Sequence, residues 1–384
     1  MSVARQQDKP IRASSPTLHR YPLWAPRFWH GMRTRDWLRL LAENRFRIHP
    51  FRWPMATSIS LVSPVNSVLA RIQRLTHGKR IREATIHESP LFILGHWRSG
   101  TTYLHELLSR DDQFISPSTY QCFAPHHFLL TQSVIPRLLW FIIPSQRPMD
   151  NVKVGWSQPQ EDEFGVCIMG VPSPYLRLAF PNRADARLDY LNMRGLSKVE
   201  IEQWLEGFRT FLRLLSTGRE QPLLLKSPTH TGRIGLLAKE FPKAKFVHIV
   251  RHPFDLVSSS IRLWHALDTT QGLQIPNFNS LEDYIMQAYH SMYEGFESGR
   301  REVSPDRLIT VRYDDVVRDP VSEVARIYEQ LGLTGYESLE PTLANIAEQS
   351  KSYQAGKHRL DDRLKGRVVE EWAAYFENYG YPTQ

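Results

Sequence analysis

The chain predicts an α/β fold, a three-layer sandwich with a mainly parallel central sheet and helices on both faces, and three observations carry that expectation. Four short apolar runs, Leu91–Leu94, Leu223–Leu225, Lys245–Val250 and Leu308–Tyr313, have the length and composition of buried strands. A segment with apolar residues at helical spacing follows each run, as with Tyr103, Leu104, Leu107 and Leu108 after the first. The turns between carry helix-starting punctuation: glycines 95 and 100, then Pro253 and Pro320 in first-turn positions. Strands alternating with helices imply parallel pairing, right-handed crossovers and a ligand crevice beyond the carboxyl ends of the strands.

In chain order, residues 1–29 read as irregular, and Arg35–Arg45 has helical spacing through Trp37, Leu38 and Leu41. Thr57–Leu75 reads as a second helical segment broken near Pro64, leading to a basic connector, His77–Arg82. Residues 1–85 are therefore expected to form an N-terminal helical cap or extension. Tyr120–Ser145 is rich in apolar and aromatic residues and reads as a core helix, a lipid-facing surface or the wall of an apolar pocket. Gln132, Ser133, Pro136 and Arg137 interrupt it too often for a bilayer span, though 128–144 is a candidate for peripheral membrane contact. In Ser157–Phe164, Pro159 suits the first turn of a helix whose positive end favours Glu161, Asp162 and Glu163. Ser197 and Glu200 form a capping box ahead of Trp204, Leu205, Phe208, Phe211, Leu212 and Leu215 on one helix face.

Composition narrows the function class. At 384 residues the chain can bury a large core, and 41% hydrophobic with 23% charged residues is ordinary for a globular protein. A formal charge of +8 favours anionic partners, yet the cations are scattered and no nucleic-acid-binding signature appears. Two cysteines, Cys122 and Cys167, are too few for a disulfide framework or a cysteine metal site, and the polar first residues lack the apolar core of a secretory signal. A cytoplasmic setting is expected, with any membrane contact peripheral and at the inner face.

The stretch Leu91–Leu108 carries the chemistry. A strand, a glycine-marked loop and a helix leave backbone N–H groups at a helix N-terminus without partners, which suits an anion. Gly95-x4-Gly100 matches the spacing of a phosphate-binding P-loop, but Thr101 and Thr102 follow where an ATP-type loop carries Lys and then Ser or Thr. Without that lysine, a nucleotide with a shorter 5′ group is indicated, Arg98 supplying the positive charge. At the end of the second strand, Lys226 is positioned to enter the same crevice. At the end of the third, Arg251 and a serine eight residues on, Ser259, can converge on one phosphate.

Arg98-Ser99-Gly100-Thr101-Thr102 behind an apolar strand resembles the 5′-phosphosulfate loop of sulfotransferases that use 3′-phosphoadenosine-5′-phosphosulfate. Strand-Arg251-x-Pro253-helix with Ser259 resembles the 3′-phosphate site of that family, and Arg312–Pro320 resembles a further landmark with a packing role. The resemblance spans roughly residues 91–333 and is nearest to bacterial enzymes with an R-S-G-T-T loop, similar to tyrosylprotein-type enzymes. It implies a P-loop-containing sandwich over 86–384 with a helical, apolar, acceptor-side insertion around 120–220. It also implies transfer of a sulfuryl group to a hydroxyl or amine of a small-molecule, lipid or glycan acceptor, a hydrophobic alcohol being favoured by the apolar 120–144 stretch. Arg98, Ser99, Gly100, Thr101 and Thr102 would then hold the 5′ side, Lys226 the bridging oxygen, and Arg251 and Ser259 the 3′-phosphate. In related enzymes a loop near the C-terminus closes over the nucleotide, which makes Lys357 a further candidate contact. The family's base is a glutamate or a histidine, which makes Glu161 the first candidate, Glu163 the second and His230 the third, and the sequence alone leaves the three open. No metal is expected, because no carboxylate stands where a P-loop ATPase holds Mg²⁺. A divergent P-loop kinase and a non-catalytic nucleotide-binding relative remain as rivals.

Overall fold

The apolar run at Leu91–Leu94 becomes the strand that organises both sides of the molecule. The computed structural model describes residues 25–142, 155–183, 187–350 and 360–384. In it β1 (Leu91–Leu94), β2 (Leu224–Lys226), β3 (Lys245–Val250) and β4 (Leu308–Arg312) form an all-parallel sheet in the order β2-β1-β3-β4. Leu91 stands opposite Leu224 on one side and Lys245 on the other. All of β1 is buried, because its two faces feed two separate cores. Leu91 and Ile93 pack with Leu104, Leu108, Val247 and Ile249, whereas Phe92 and Leu94 belong with Phe208, Phe246 and Trp264. A strand covered on both faces reads as a continuous apolar run rather than an alternating one.

Numbering helices of seven residues or more, the chain adds α1 (Thr34–Glu43), α2 (Trp53–Glu83), α3 (Thr101–Leu108), α4 (Asp162–Ile168), α5 (Lys198–Ser216), α6 (Ile234–Glu240) and α7 (Pro253–Gln271). α8 (Leu281–Gly299), α9 (Pro320–Gln330), α10 (Tyr336–Ser350), α11 (Asp362–Glu371) and α12 (Ala373–Tyr379) complete it. α3, leaving β1, sends Leu104, Leu107 and Leu108 to one core; α7, leaving the adjacent β3, sends Leu256 and Trp264 to the other. Neighbouring strands whose helices depart to opposite faces leave a crevice between them, the switch point at which open α/β sheets bind ligands.

Several local expectations change. α2 runs unbroken through Pro64 because contacts hold the helix beyond it: Asn66 Nδ2 donates to the carbonyls of His30 (2.6 Å) and Met32 (2.9 Å), and Ser67 Oγ accepts from the Thr34 N–H (3.0 Å). The 120–145 stretch is not one core helix; it is broken into short turns, Thr119–Phe123, Phe128–Thr131, Ile135–Leu138 and Trp140–Ile142. Pro125 and Pro136 interrupt it, and residues 143–145 lie outside the described residues. Its first half buries Tyr120, Cys122 and Phe128, while Val134, Leu138, Trp140 and Phe141 are exposed. Pro159 is not in a first helical turn, because an isolated bridge to Ser118 holds it extended and α4 begins only at Asp162. Tyr313, expected in the fourth strand, opens the short helix Tyr313–Arg318. The final helix is two helices, divided at the fully buried Trp372, which stacks on Tyr289 at 3.6 Å. Lys357 lies outside the described residues, and among the described residues no helix is long and apolar enough to cross a membrane.

Two buried polar contacts tie α4 to the segment after β2. Arg233 Nη1 and Nη2 donate to Glu163 Oε2 (2.6 Å) and Oε1 (3.2 Å), and Ser173 Oγ (2.6 Å) and Thr229 Oγ1 (3.0 Å) complete the carboxylate's shell. His230 Nε2 donates to Asp162 Oδ2 at 2.5 Å, and Ser227 Oγ donates to Oδ1 at 3.0 Å. Burial pushes the Glu163 carboxyl up, but the charge and hydrogen bonds of Arg233 outweigh it and hold the group below its ordinary 4.5.

Two expectations follow from this packing. Pro64→Ala should stabilise the fold by about 1–2 kcal/mol, read as a higher thermal midpoint, because a helix-interior proline costs more than its loss of unfolded-state entropy returns. Glu163→Gln should lower the midpoint at pH 7, since it leaves the buried Arg233 charge unmatched. A depressed carboxyl contributes stability that is complete above its unfolded value and disappears as pH falls through the folded value. The gap between wild type and Glu163→Gln should therefore narrow in melts recorded below pH 4.5.

Candidate functional site

The loop between β1 and α3 is built around close approaches. Gly95 has φ +149°, and a Cβ there would lie 2.5 Å from Ser99 Oγ and 2.6 Å from the Ile249 carbonyl oxygen. At Gly100, φ +105°, a Cβ would lie 2.2 Å from Cδ2 of Tyr313. Arg98 itself adopts a left-handed φ of +71°. Thr231 Oγ1 accepts from the Gly95 N–H at 2.8 Å, which fastens the loop to the chain after β2. Gly100 caps α3 without a side-chain bond, so no capping side chain competes with an anion for the positive end of the helix dipole.

Cations collect at this end. Arg98 Nε donates to Ser259 Oγ at 2.8 Å, and Arg251 Nη1 donates to the Arg98 carbonyl at 3.2 Å. The Arg251 guanidinium lies 4.5 Å from the centroid of the Tyr313 ring and 3.6 Å from Asp255. One turn beyond Ser259 on α7 stands Arg262, whose pKa is depressed by burial and by the charges of Arg98 and Arg251. Arg251 Nε and Ser99 Oγ are buried without a hydrogen-bond partner. Crowded guanidinium groups beside orphaned donors fit a ligand bearing several negative charges.

The acids separate into different environments. Glu161, the N-cap of α4, accepts at Oε1 from Lys226 Nζ (2.9 Å) and at Oε2 from the Tyr175 hydroxyl (2.5 Å). Tyr175 in turn accepts from Trp97 Nε1 at 2.9 Å, and Lys226 Nζ approaches Thr102 Oγ1 at 3.5 Å. The Glu161 side chain keeps 13% exposure beside a Lys226 with 1%. Glu163 and His230 are fully buried in the contacts described above. Burial pushes His96 down to about 4, leaving its ring neutral at pH 7 with Nδ1 donating to the Trp97 carbonyl. Among the described residues no group of three or more His, Cys, Asp or Glu is placed to hold a metal ion.

Arg98, Ser99, Gly100, Thr101, Thr102, Lys226, Arg251, Ser259 and Glu161 thus meet at the ends of three adjacent strands. Sequence reasoning missed Tyr175, Trp97, Thr231 and Arg262. Arg262 had a signal, lying at i+3 from Ser259 on a predicted helix; Tyr175, fourteen residues from Glu161, had none.

Comparison with known proteins agrees with this geometry. Residues 90–338 match the model of the sulfotransferase family. The chain is 40% identical over 373 residues to omega-hydroxy-beta-dihydromenaquinone-9 sulfotransferase Stf3 of Mycobacterium bovis, covering 97% of this chain and 96% of that protein, and is equally similar to its Mycobacterium tuberculosis counterpart. Sulfotransferase STF9 from Mycobacterium avium shares the fold with a TM-score of 0.67 at 18% identity, covering 86% of each chain. STF1 from Mycobacterium tuberculosis does so with 0.60 at 17% identity, covering 89% of this chain and 92% of that one. The strand-loop-helix that opens the site and the arginine that closes it both fall inside the matched span, and this chain belongs to the sulfotransferase family.

Proposed function

We propose that this sulfotransferase moves a sulfuryl group from 3′-phosphoadenosine-5′-phosphosulfate to the hydroxyl of a lipid-like acceptor, with Glu161 as general base. The observation that carries the reading is the Lys226–Glu161 contact of 2.9 Å at the mouth of the glycine loop, which sets a proton acceptor beside a cation for the leaving group. The nucleotide supplies an activated sulfuryl group. Arg98, the Ser99 and Gly100 backbone, Thr101 and Thr102 hold the 5′ phosphate, while Arg251, Ser259 and Arg262 hold the 3′ phosphate; Lys357 is assigned a further phosphate contact. Glu161 takes the acceptor's hydroxyl proton as the oxygen–sulfur bond forms. Lys226 and Arg98 neutralise the 5′-phosphate oxygen as its bond to sulfur breaks.

Glu163 and His230 stood second and third to Glu161 as candidates for the base on sequence, and we assign them to support instead. Glu163 is enclosed by Arg233, Ser173 and Thr229, and His230 by Asp162, with no exposed surface on either. The acceptor class follows the relative whose name specifies omega-hydroxy-beta-dihydromenaquinone-9, a hydroxylated apolar molecule. The exposed Val134, Leu138, Trp140 and Phe141 support peripheral lipid contact through 128–144 at the cytoplasmic membrane face. We assign residues 1–85 to a cap and 120–220 to the acceptor side.

Isothermal titration should show adenosine 3′,5′-bisphosphate binding far more tightly than ATP; a preference for ATP would support a kinase, and bisphosphate binding without transfer a non-catalytic relative. Glu161→Gln should cut turnover by roughly 100- to 10,000-fold while nucleotide affinity stays within a few-fold, and full activity would move the base elsewhere. Tyr175→Phe, which removes a hydrogen bond to a charged group, should lower kcat by about tenfold or more with little change in nucleotide affinity.

A further inference from the structure

α2 is built inside out. Its inward positions include Ser63, Asn66, Gln73 and Gly78, and Asn66 and Gln73 are bonded to the body of the protein. Gln73 Nε2 donates to the His126 carbonyl at 3.0 Å while its Oε1 accepts from the Leu130 N–H at 3.2 Å, and Asn66 holds His30 and Met32. Its outward face carries Leu61, Val65, Val68, Ile72 and Leu75, with Leu61 72% and Leu75 77% exposed. Steps of four, three, four and three residues keep those five side chains within about 80° of arc over a length of about 21 Å. A helix resting on an aqueous surface shows the opposite distribution, so this face is matched to an apolar medium.

The charges on the same helix decide which medium. Between Trp53 and Arg82 it carries Arg71, Arg74, Lys79, Arg80 and Arg82 and no carboxylate; Glu83 is its first acid. Two such helices packed seam to seam would set these cations against one another when parallel and offer them no carboxylate when antiparallel, which disfavours a second copy. An anionic bilayer satisfies both features, taking the apolar stripe at the acyl boundary and the cations at the phosphates. The exposed aromatic residues Phe51 and Trp53 stand at the helix entrance, the residue class that settles at headgroup level.

We infer that α2 is an interfacial membrane anchor that lies flat in the surface of an anionic phospholipid bilayer. The inference rests on the composition of the helix and is independent of the acceptor assigned above.

The test is co-sedimentation of the full-length protein with vesicles of phosphatidylcholine alone or with roughly 30% phosphatidylglycerol added, the anionic lipid that the cations call for. Binding should be at least ~10-fold tighter to the anionic vesicles and should weaken with salt. The triple variant L61Q/V68Q/L75Q should lose vesicle binding by ~10-fold or more, with each buried apolar side chain contributing to the loss. Its thermal midpoint and its affinity for adenosine 3′,5′-bisphosphate should be unchanged, which shows that it is folded. Absence of wild-type binding, equal binding by the variant, or a wild-type dimer that the variant converts to monomer would each overturn the inference. Turnover of a detergent-dispersed acceptor, measured in parallel, reports on the acceptor assignment separately, so either can fail while the other stands.

Discussion

The site depends on a buried polar seam that no substrate touches. Asp162 and Glu163 open α4, and their partners His230 and Arg233 lie on the segment that follows β2. Two carboxylates are removed from water at considerable cost, and full hydrogen bonding with a charge or a close donor offsets it. The result is that the first turn of α4 cannot slide relative to the end of β2. Glu161, one residue earlier, is thereby held against Lys226, the last residue of that strand. Three consecutive acids therefore divide their work: two fix a position and the third occupies it.

The opposite wall of the crevice crowds three guanidinium groups together. Arg98, Arg251 and Arg262 stand close enough that the charges of the first two depress the third, after burial has done most of it. Ser259, Asp255, the Arg98 carbonyl and the Tyr313 ring each take part of the load of such a cluster. An anionic ligand entering here meets preorganised donors and relieves electrostatic strain in the same step. The sheet order makes this wall adjacent to the glycine loop, since β3 is hydrogen-bonded to β1.

Much of this was legible in the sequence wherever chemistry and local structure share a few consecutive residues. The loop from Gly95 to Thr102, Lys226 and Arg251 all sit at strand ends marked by apolar runs, glycine or proline, and Ser259 lies on the helix that Pro253 opens after the third strand. Glu161 could be ranked ahead of Glu163 and His230 on paper but not separated from them, because a linear pattern holds no information about which carboxylate is enclosed. Only the packing of α4 on the segment after β2 separates them. Tyr175 and Trp97 were invisible for the same reason: the contact of Tyr175 with Glu161 and that of Trp97 with Tyr175 are tertiary. Pro64 misled in the other direction, since its helix-breaking tendency is local and the bonds of Asn66 and Ser67 that override it are not.

One ring links the glycine loop to the arginine cluster. The Tyr313 side chain lies against the Cα of Gly100 on one side and beneath the Arg251 guanidinium on the other. Any residue larger than glycine at position 100 has to evict the ring, and the evicted ring takes with it the platform under the arginine. A side chain at position 100 would therefore be felt at Arg251, the two residues being joined through the ring between them.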